Sequence, residues 1–244
     1  MTDLWAPLRA ATPARIGLGR AGDTLPLSAV LDLQLAHARA RDAVHAALDP
    51  ARLEADLAPL PVLHVASAAP DRPTYLRRPD LGRQLAPSTL FPDTPPADLA
   101  FVIADGLSAT GVQAHAASVL RACIAAVPEL TLAPITIARQ ARVALGDPIG
   151  AALKARIVVV LIGERPGLSV ADSLGLYMTH APRPGRADSE RNCISNIHGA
   201  GGLSPEQAAQ TLRYLLHESL RLGLSGIALK DDQPAPIPAI ESQP

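Results

Sequence analysis

Three short apolar runs, spaced by helix-length stretches, constrain this chain more than any other feature. They are Leu99-Ala-Phe-Val-Ile-Ala104, Pro134-Ile-Thr-Ile-Ala138 and Arg156-Ile-Val-Val-Val-Leu-Ile162. Each reads as a buried strand. Helices are expected between them, about Thr110 to Val127 and Asp147 to Lys154. Apolar strands alternating with helices imply a parallel sheet covered on both faces. The expected fold is therefore α/β, a Rossmann-like parallel sheet with flanking helices, built over residues 99–230. A further strand is expected over Leu174 to Thr179. Ser204-Pro-Glu-Gln207 carries the N-terminal signature of a last helix, with Ser as cap, Pro in the first turn and Gln as its reciprocal partner. Gly223 supplies its C-terminal stop.

Residues 1–98 read as an N-terminal arm, one helix and a Pro-rich connection. Ser28 is the expected helix cap, Leu31, Leu35, Ala38 and Leu48 the expected apolar side, and Pro50 the expected end. Pro61-Val-Leu-His-Val65 is a candidate short strand. The arm (residues 6–26) and the stretch 70–98 have little apolar periodicity, and both are expected to order against another chain. The tail 231–244, rich in Pro, is expected to be disordered.

Composition excludes several classes. With 22 Lys and Arg against 23 Asp and Glu, net charge is −1, and aromatics are 2%. A nucleic-acid partner would call for a basic balance and stacking side chains, so none is expected. No apolar run is long enough to span a bilayer, and no signal peptide opens the chain, so no membrane association is expected. Two cysteines, Cys123 and Cys193, make no disulfide framework.

Four motifs bear on chemistry. Gly17-Leu-Gly19-Arg-Ala-Gly22 spells a dinucleotide fingerprint, but no strand precedes it and no helix opens inside it. The ordinary reading is an arginine-bearing arm. Asp105-Gly-Leu-Ser108-Ala-Thr110-Gly111 follows the first core strand, where it serves either a ligand crevice or a capped turn. Gly163-Glu164-Arg165-Pro166-Gly167 follows the third, a rigid turn that fixes a carboxylate, as a ligand acceptor or as a surface pair. Arg191-Asn-Cys193-Ile-Ser-Asn196-Ile-His198 reads as a loop that leads into a glycine run. There Cys193 reads as a nucleophile, a metal ligand or an inert core thiol.

Together these segments resemble the small (light-chain) subunit of ethanolamine ammonia-lyase, from Ala14 to about Leu229. The resemblance rests on Ala14-Arg-Ile-Gly-Leu-Gly-Arg-Ala-Gly22, Leu35-Ala-His-Ala-Arg-Ala-Arg-Asp-Ala-Val44, Asp105 to Gly111, Arg139-Gln-Ala-Arg-Val-Ala-Leu-Gly-Asp147, Gly163 to Gly167 and Arg191 to His198. It implies conversion of ethanolamine to acetaldehyde and ammonia with adenosylcobalamin, in a hetero-oligomer with a large catalytic subunit. It further implies that Val143, Glu164 and Cys193 contact the cofactor, that none of the three is catalytic, and that this chain supplies no metal ligand. Cobalamin domains that ligate cobalt carry Asp-x-His-x-x-Gly; here Asn196-Ile-His198-Gly-Ala-Gly201 has Asn in the first place. Location in a bacterial microcompartment is also implied, or in the cytoplasm where the short start does not direct encapsulation. Two other readings remain: a structural partner subunit without cofactor contact, and a stand-alone nucleotide-binding enzyme.

Overall fold

The computed structural model describes residues 3–12 and 14–232. Most of the expected tail, residues 233–244, lies outside the described residues. Two helices come first, α1 (Ala6–Ala11) and α2 (Leu27–His45). Pro50 does not end α2. It sits in the first turn of α3 (Pro50–Leu57), where Asp49 caps the helix by accepting the Arg52 N–H at 3.1 Å. Nor does Ser28 cap α2, because the helix already begins at Leu27, after Pro26.

A six-stranded sheet forms the centre. Its strands are β1 (Val62–Ala66), β2 (Ala97–Ala104), β3 (Ile135–Arg139), β4 (Ala155–Gly163), β5 (Leu174–His180) and β6 (Arg191–Ile197), in the order β1-β3-β2-β4-β5-β6. The first four are parallel, whereas β4–β5 and β5–β6 pair antiparallel. The sheet is thus mixed, not wholly parallel as expected. The reason lies in the connections. The stretches from β4 to β5 and from β5 to β6 contain no helix that would carry the chain back across the sheet, so each strand returns beside the last. The stretch from Arg191 to Ile197, read as a loop, is the outermost of these returning strands.

Between β1 and β2 lies α4 (Arg72–Arg77), and after β2 comes α5 (Ala109–Ala126). Ser108 caps α5, accepting the Gly111 N–H at 3.1 Å. The short α6 (Gly146–Ala152) joins β3 to β4, and α7 (Pro205–Leu222) closes the fold. Ser204 and Gln207 cap α7 reciprocally, and Gly223 ends it at φ +71°. No helix among the described residues is long and apolar enough to cross a membrane.

Strand alternation divides the core into two layers. Leu99, Phe101, Ile103, Ile157, Val159 and Leu161 face α3, α5 and α7. Their alternates Ala100, Val102, Val158, Val160 and Ile162 face α6. Of the stretch 70–98, expected to order against another chain, the first part, to Ala86, packs on this one. Tyr75 is fully buried, the Ala68 and Ala86 N–H groups donate to Gln84 and Ala66 carbonyls, and Ser67 bridges to Leu85. A helix as short as α4, which buries one large aromatic side chain, is too short to show a period, which is why the sequence pattern missed it.

Candidate functional site: a polar patch on the open face of the sheet

Alternation along β5 and β6 sets which side chains meet. Leu174, Leu176 and Met178 point into the α5–α7 layer, so Tyr177 and Thr179 point to the α6 side. Tyr177 pairs with Cys193 across the strands, and Thr179 with Arg191. Helix α6 packs on β4 and β2. Toward β5 and β6 that face opens, leaving Tyr177 half-buried and Cys193 exposed. Cys193 is therefore a strand residue at an open face, not part of a glycine-rich loop.

Glu164 leaves the end of β4 and folds over β5. Its Oε2 accepts from the Ser173 hydroxyl and from the Asn196 N–H, the latter at 3.2 Å. Its Oε1 lies 2.8 Å from the place a Cβ on Gly175 would take. Glycine at 175 thus provides the room for the carboxylate. No hydrogen bond to Oε1 is present among the described residues. Glu164 and Cys193 are brought together around Tyr177. Burial raises the Cys193 thiol above its ordinary range and the Glu164 charge adds to this, while the Tyr177 hydroxyl, donating to the sulfur, opposes it. Tyr177 is itself raised, chiefly by burial and then by Cys193.

Val143 opens the turn that leads into α6 and is half-buried against the α6-side layer, as Tyr177 is. A buried ion pair ties its element to β6. Arg191 donates from Nη1 and Nη2 to the two Asp147 oxygens, both at 2.7 Å, and from Nη1 to Thr179 Oγ1 at 2.9 Å. Both charged side chains are 2% exposed. A bidentate pair of this kind fixes orientation as well as distance. It clamps the start of α6, just after Val143, to the strand that carries Cys193.

The crevice between the carboxyl ends of β2 and β4 is closed by backbone. A Cβ on Gly106 would lie 2.2 Å from the Gly163 carbonyl oxygen, and one on Gly163 would lie 2.0 Å from that of Ser108. Asp105 accepts the N–H groups of Gln140 and Ala141 at 2.8 and 2.9 Å. Burial raises its carboxyl above the usual range, and the two amides and Arg72 oppose that shift. The Asp105 to Gly111 segment thus serves as a capped and anchored turn.

His198 is 7% exposed; its Nε2 donates to Asn196 Oδ1 at 2.8 Å and its Nδ1 accepts the Ala200 N–H at 3.1 Å. Both ring nitrogens are engaged within its own loop. Among the described residues no group of three or more His, Cys, Asp and Glu is placed to hold a metal ion. Cys123 is buried in the α5 layer, with its thiol pushed up to about 12 by burial alone. The Gly17 to Gly22 segment lies between α1 and α2 with no strand before it, and a Cβ on Gly17 would lie 2.3 Å from Trp5. A phosphate-binding turn would have to start a helix, and this one does not.

Sequence reasoning missed Tyr177, Ser173 and Gly175. The alternation of Leu174, Leu176 and Met178 already assigns Tyr177 to the opposite face. The pairing with Cys193 depends on the antiparallel return, which no local signal marks.

The N-terminal helix presents a second open surface. Its small residues Ala36, Ala40 and Ala43 are wholly or partly buried toward the domain. Leu31 and Leu35, from the side expected to be apolar, are 53% and 50% exposed, and Leu27, four residues before Leu31, is 71% exposed. Leu4, Trp5 and Leu8 of the arm are also exposed.

These features define an α/β chain whose own core is complete, and whose polar cluster and leucine side both lie open at the surface. Residues 2–230 match the family model described as ethanolamine ammonia-lyase light chain (EutC). The ethanolamine ammonia-lyase small subunit of Xanthomonas campestris pv. campestris is 54% identical over 248 residues, covering 96% of this chain and 90% of that protein. The same-named subunit of Bradyrhizobium diazoefficiens is 54% identical over 234 residues, covering 92% and 89%. That of Rhodococcus erythropolis is 50% identical, covering 94% and 90%. The chain belongs to the ethanolamine ammonia-lyase light-chain family and is a subunit of a lyase.

Proposed function

We propose that this chain binds adenosylcobalamin through Val143, Glu164 and Cys193, at its interface with the large subunit of ethanolamine ammonia-lyase. The complex converts ethanolamine to acetaldehyde and ammonia. One observation carries the reading. Glu164 Oε2 is held by Ser173 and the Asn196 amide, while Oε1 has no hydrogen-bond partner among the described residues, and its charge acts on Cys193, an exposed residue of the same sheet face. A carboxylate so held accepts hydrogen bonds from amide donors, and corrin side chains end in carboxamides. The residues present therefore fit the cofactor. When bound, adenosylcobalamin supplies the radical chemistry, and the protein supplies binding and orientation. Glu164 accepts from a carboxamide, while Val143 gives an apolar contact and Cys193 a thiol contact. The exposed leucine side of α2, with Leu4, Trp5 and Leu8, suits the large subunit as an apolar docking surface.

The test is a cofactor titration of the reconstituted complex at saturating ethanolamine. A hydrogen bond to a charged acceptor contributes about 1.5–3 kcal/mol. Glu164→Ala is therefore expected to raise the apparent Kd for adenosylcobalamin roughly tenfold to a hundredfold, at about 1.4 kcal/mol per decade. Glu164→Gln keeps one acceptor oxygen and should lose less. Unchanged cofactor affinity with a collapsed ethanolamine affinity would place Glu164 at the substrate and overturn the reading. Unchanged affinity for both would favour a structural partner subunit.

A further inference from the structure

Arg72 lies where three segments of the chain meet. Its Nε donates to the Val44 carbonyl at 2.8 Å, next to the last residue of α2. Its Nη1 donates to the Gly106 carbonyl at 2.7 Å, in the turn after β2. The same guanidinium stands 3.9 Å from Asp105 Oδ2 and 4.9 Å from the centre of the Tyr75 ring. The Arg72 and Asp105 side chains are 11% and 4% exposed.

Asp105 passes this fixation on. One of its oxygens accepts from the Gln140 N–H and the other from the Ala141 N–H. Both oxygens are thus spent on backbone amides, with the Arg72 guanidinium beside them. Gln140 sits at φ +53°, a conformation a side-chain-bearing residue keeps only where its surroundings hold it. Ala141 is gripped at both ends of its peptide unit, since the Tyr75 hydroxyl donates to its carbonyl at 3.1 Å. The Arg142 guanidinium also stands over the Tyr75 ring, 4.4 Å from its centre. The next residue is Val143. Around this turn Arg72 Nη2, Gln140 Oε1 and Arg142 Nε are buried without partners among the described residues. Stability alone would select against such a turn, and a local rule broken at a buried site is typical of function.

We infer that Arg72 and Asp105 are positioning residues for the cofactor contact at Val143, fixing its turn against the end of α2. The inference rests on the proposed cobalamin site. It adds a reason why a strained turn and a buried, incompletely paired arginine stand behind that site.

The experiment uses the reconstituted two-subunit complex carrying Arg72→Lys or Asp105→Asn in this chain. Lysine keeps the charge but cannot span the Val44 and Gly106 carbonyls together. Asparagine keeps the shape and one acceptor oxygen, so one backbone amide loses its partner. Each variant is expected to raise the apparent Kd for adenosylcobalamin about tenfold. Turnover at saturating cofactor and KM for ethanolamine should stay at parent values, because the turn is displaced rather than the substrate. A general structural role would instead lower the yield of assembled complex and leave the affinity of what assembles unchanged; that result overturns the inference. Glu164→Ala run in parallel separates the two layers of argument. Weakened cofactor binding in Glu164→Ala alone defeats the positioning role and leaves the site. Parent affinity in all three variants defeats the site itself.

Discussion

Phe101 and Leu31 are both large apolar residues inside regular elements, yet Phe101 is fully buried and Leu31 is 53% exposed. The difference belongs to what surrounds each element. Strand β2 has a parallel neighbour on both sides, α5 on one face and α6 on the other, so the chain itself completes its environment. Helix α2 rests on the domain through alanines, and Arg72 pins its end. Its leucines Leu27 and Leu31 are exposed. A helix that packs its small side and shows its large side is arranged for a second surface rather than for its own core. The same contrast recurs at the site, where α6 covers one half of a sheet face and Cys193 lies in the open on the other half. One region of the molecule is finished by folding. The other is left open by folding, and it is the part that the proposed assembly covers.

The sharpest way to break this comparison is to charge the open side of α2. Leu31→Glu with Leu35→Glu should abolish co-purification with the large subunit, because two carboxylates would have to be buried without partners. The isolated chain should stay within about 0.5 kcal/mol of the parent for each change, as exposed positions do. Size-exclusion chromatography of the mixed subunits and denaturant unfolding of the lone chain read the two effects separately. A variant that still assembles, or one that unfolds, would erase the distinction between the two regions.

The converse change is smaller in scale and falls on the core. Phe101→Ala removes a fully buried ring from the layer between β2 and α5, and is expected to cost about 3–5 kcal/mol. The midpoint of denaturant unfolding of the lone chain measures it. If the loss appeared only in the complex, the core would not be complete in this chain by itself.

How much of this was legible in the sequence follows the same division. The runs at Leu99, Pro134 and Arg156 mark core strands because burial on both faces leaves a continuous apolar signature. Ser204, Pro205 and Gly223 mark α7 because caps are local chemistry. The direction of β5 and β6 left no such trace, since an antiparallel return and a parallel crossover use the same residues within the strand. Leu31 and Leu35 were legible as an apolar side but not as an exposed one. Periodicity tells which residues share a helix side and is silent on what lies opposite. At the site, Glu164 and Cys193 stood out through their flanking glycines and polar neighbours. Tyr177, Gly175, Arg72 and Asp147 act only through partners distant in sequence.

The two cysteines offer the gentlest version of the comparison. Cys123 lies in the finished core, 1% exposed, with its thiol pushed up to about 12 by burial. At pH 8 almost none of it is thiolate, and iodoacetamide should not label it in the folded chain. Cys193 is exposed, so it should be labelled, but more slowly than a free thiol, because burial around the sulfur and the Glu164 charge both disfavour the thiolate. Glu164→Gln removes that charge, lowers the thiol toward its ordinary range and should speed labelling at pH 8 by a few-fold at most. The sign is the informative part, since a Glu164 carboxylate remote from Cys193 would leave the rate unchanged. Addition of the large subunit and adenosylcobalamin should then protect Cys193 and leave Cys123 as it was. Mass spectrometry of the labelled peptides distinguishes the two sites. Labelling of Cys193 that is equally fast in the loaded complex would mean that assembly does not cover this face of the sheet.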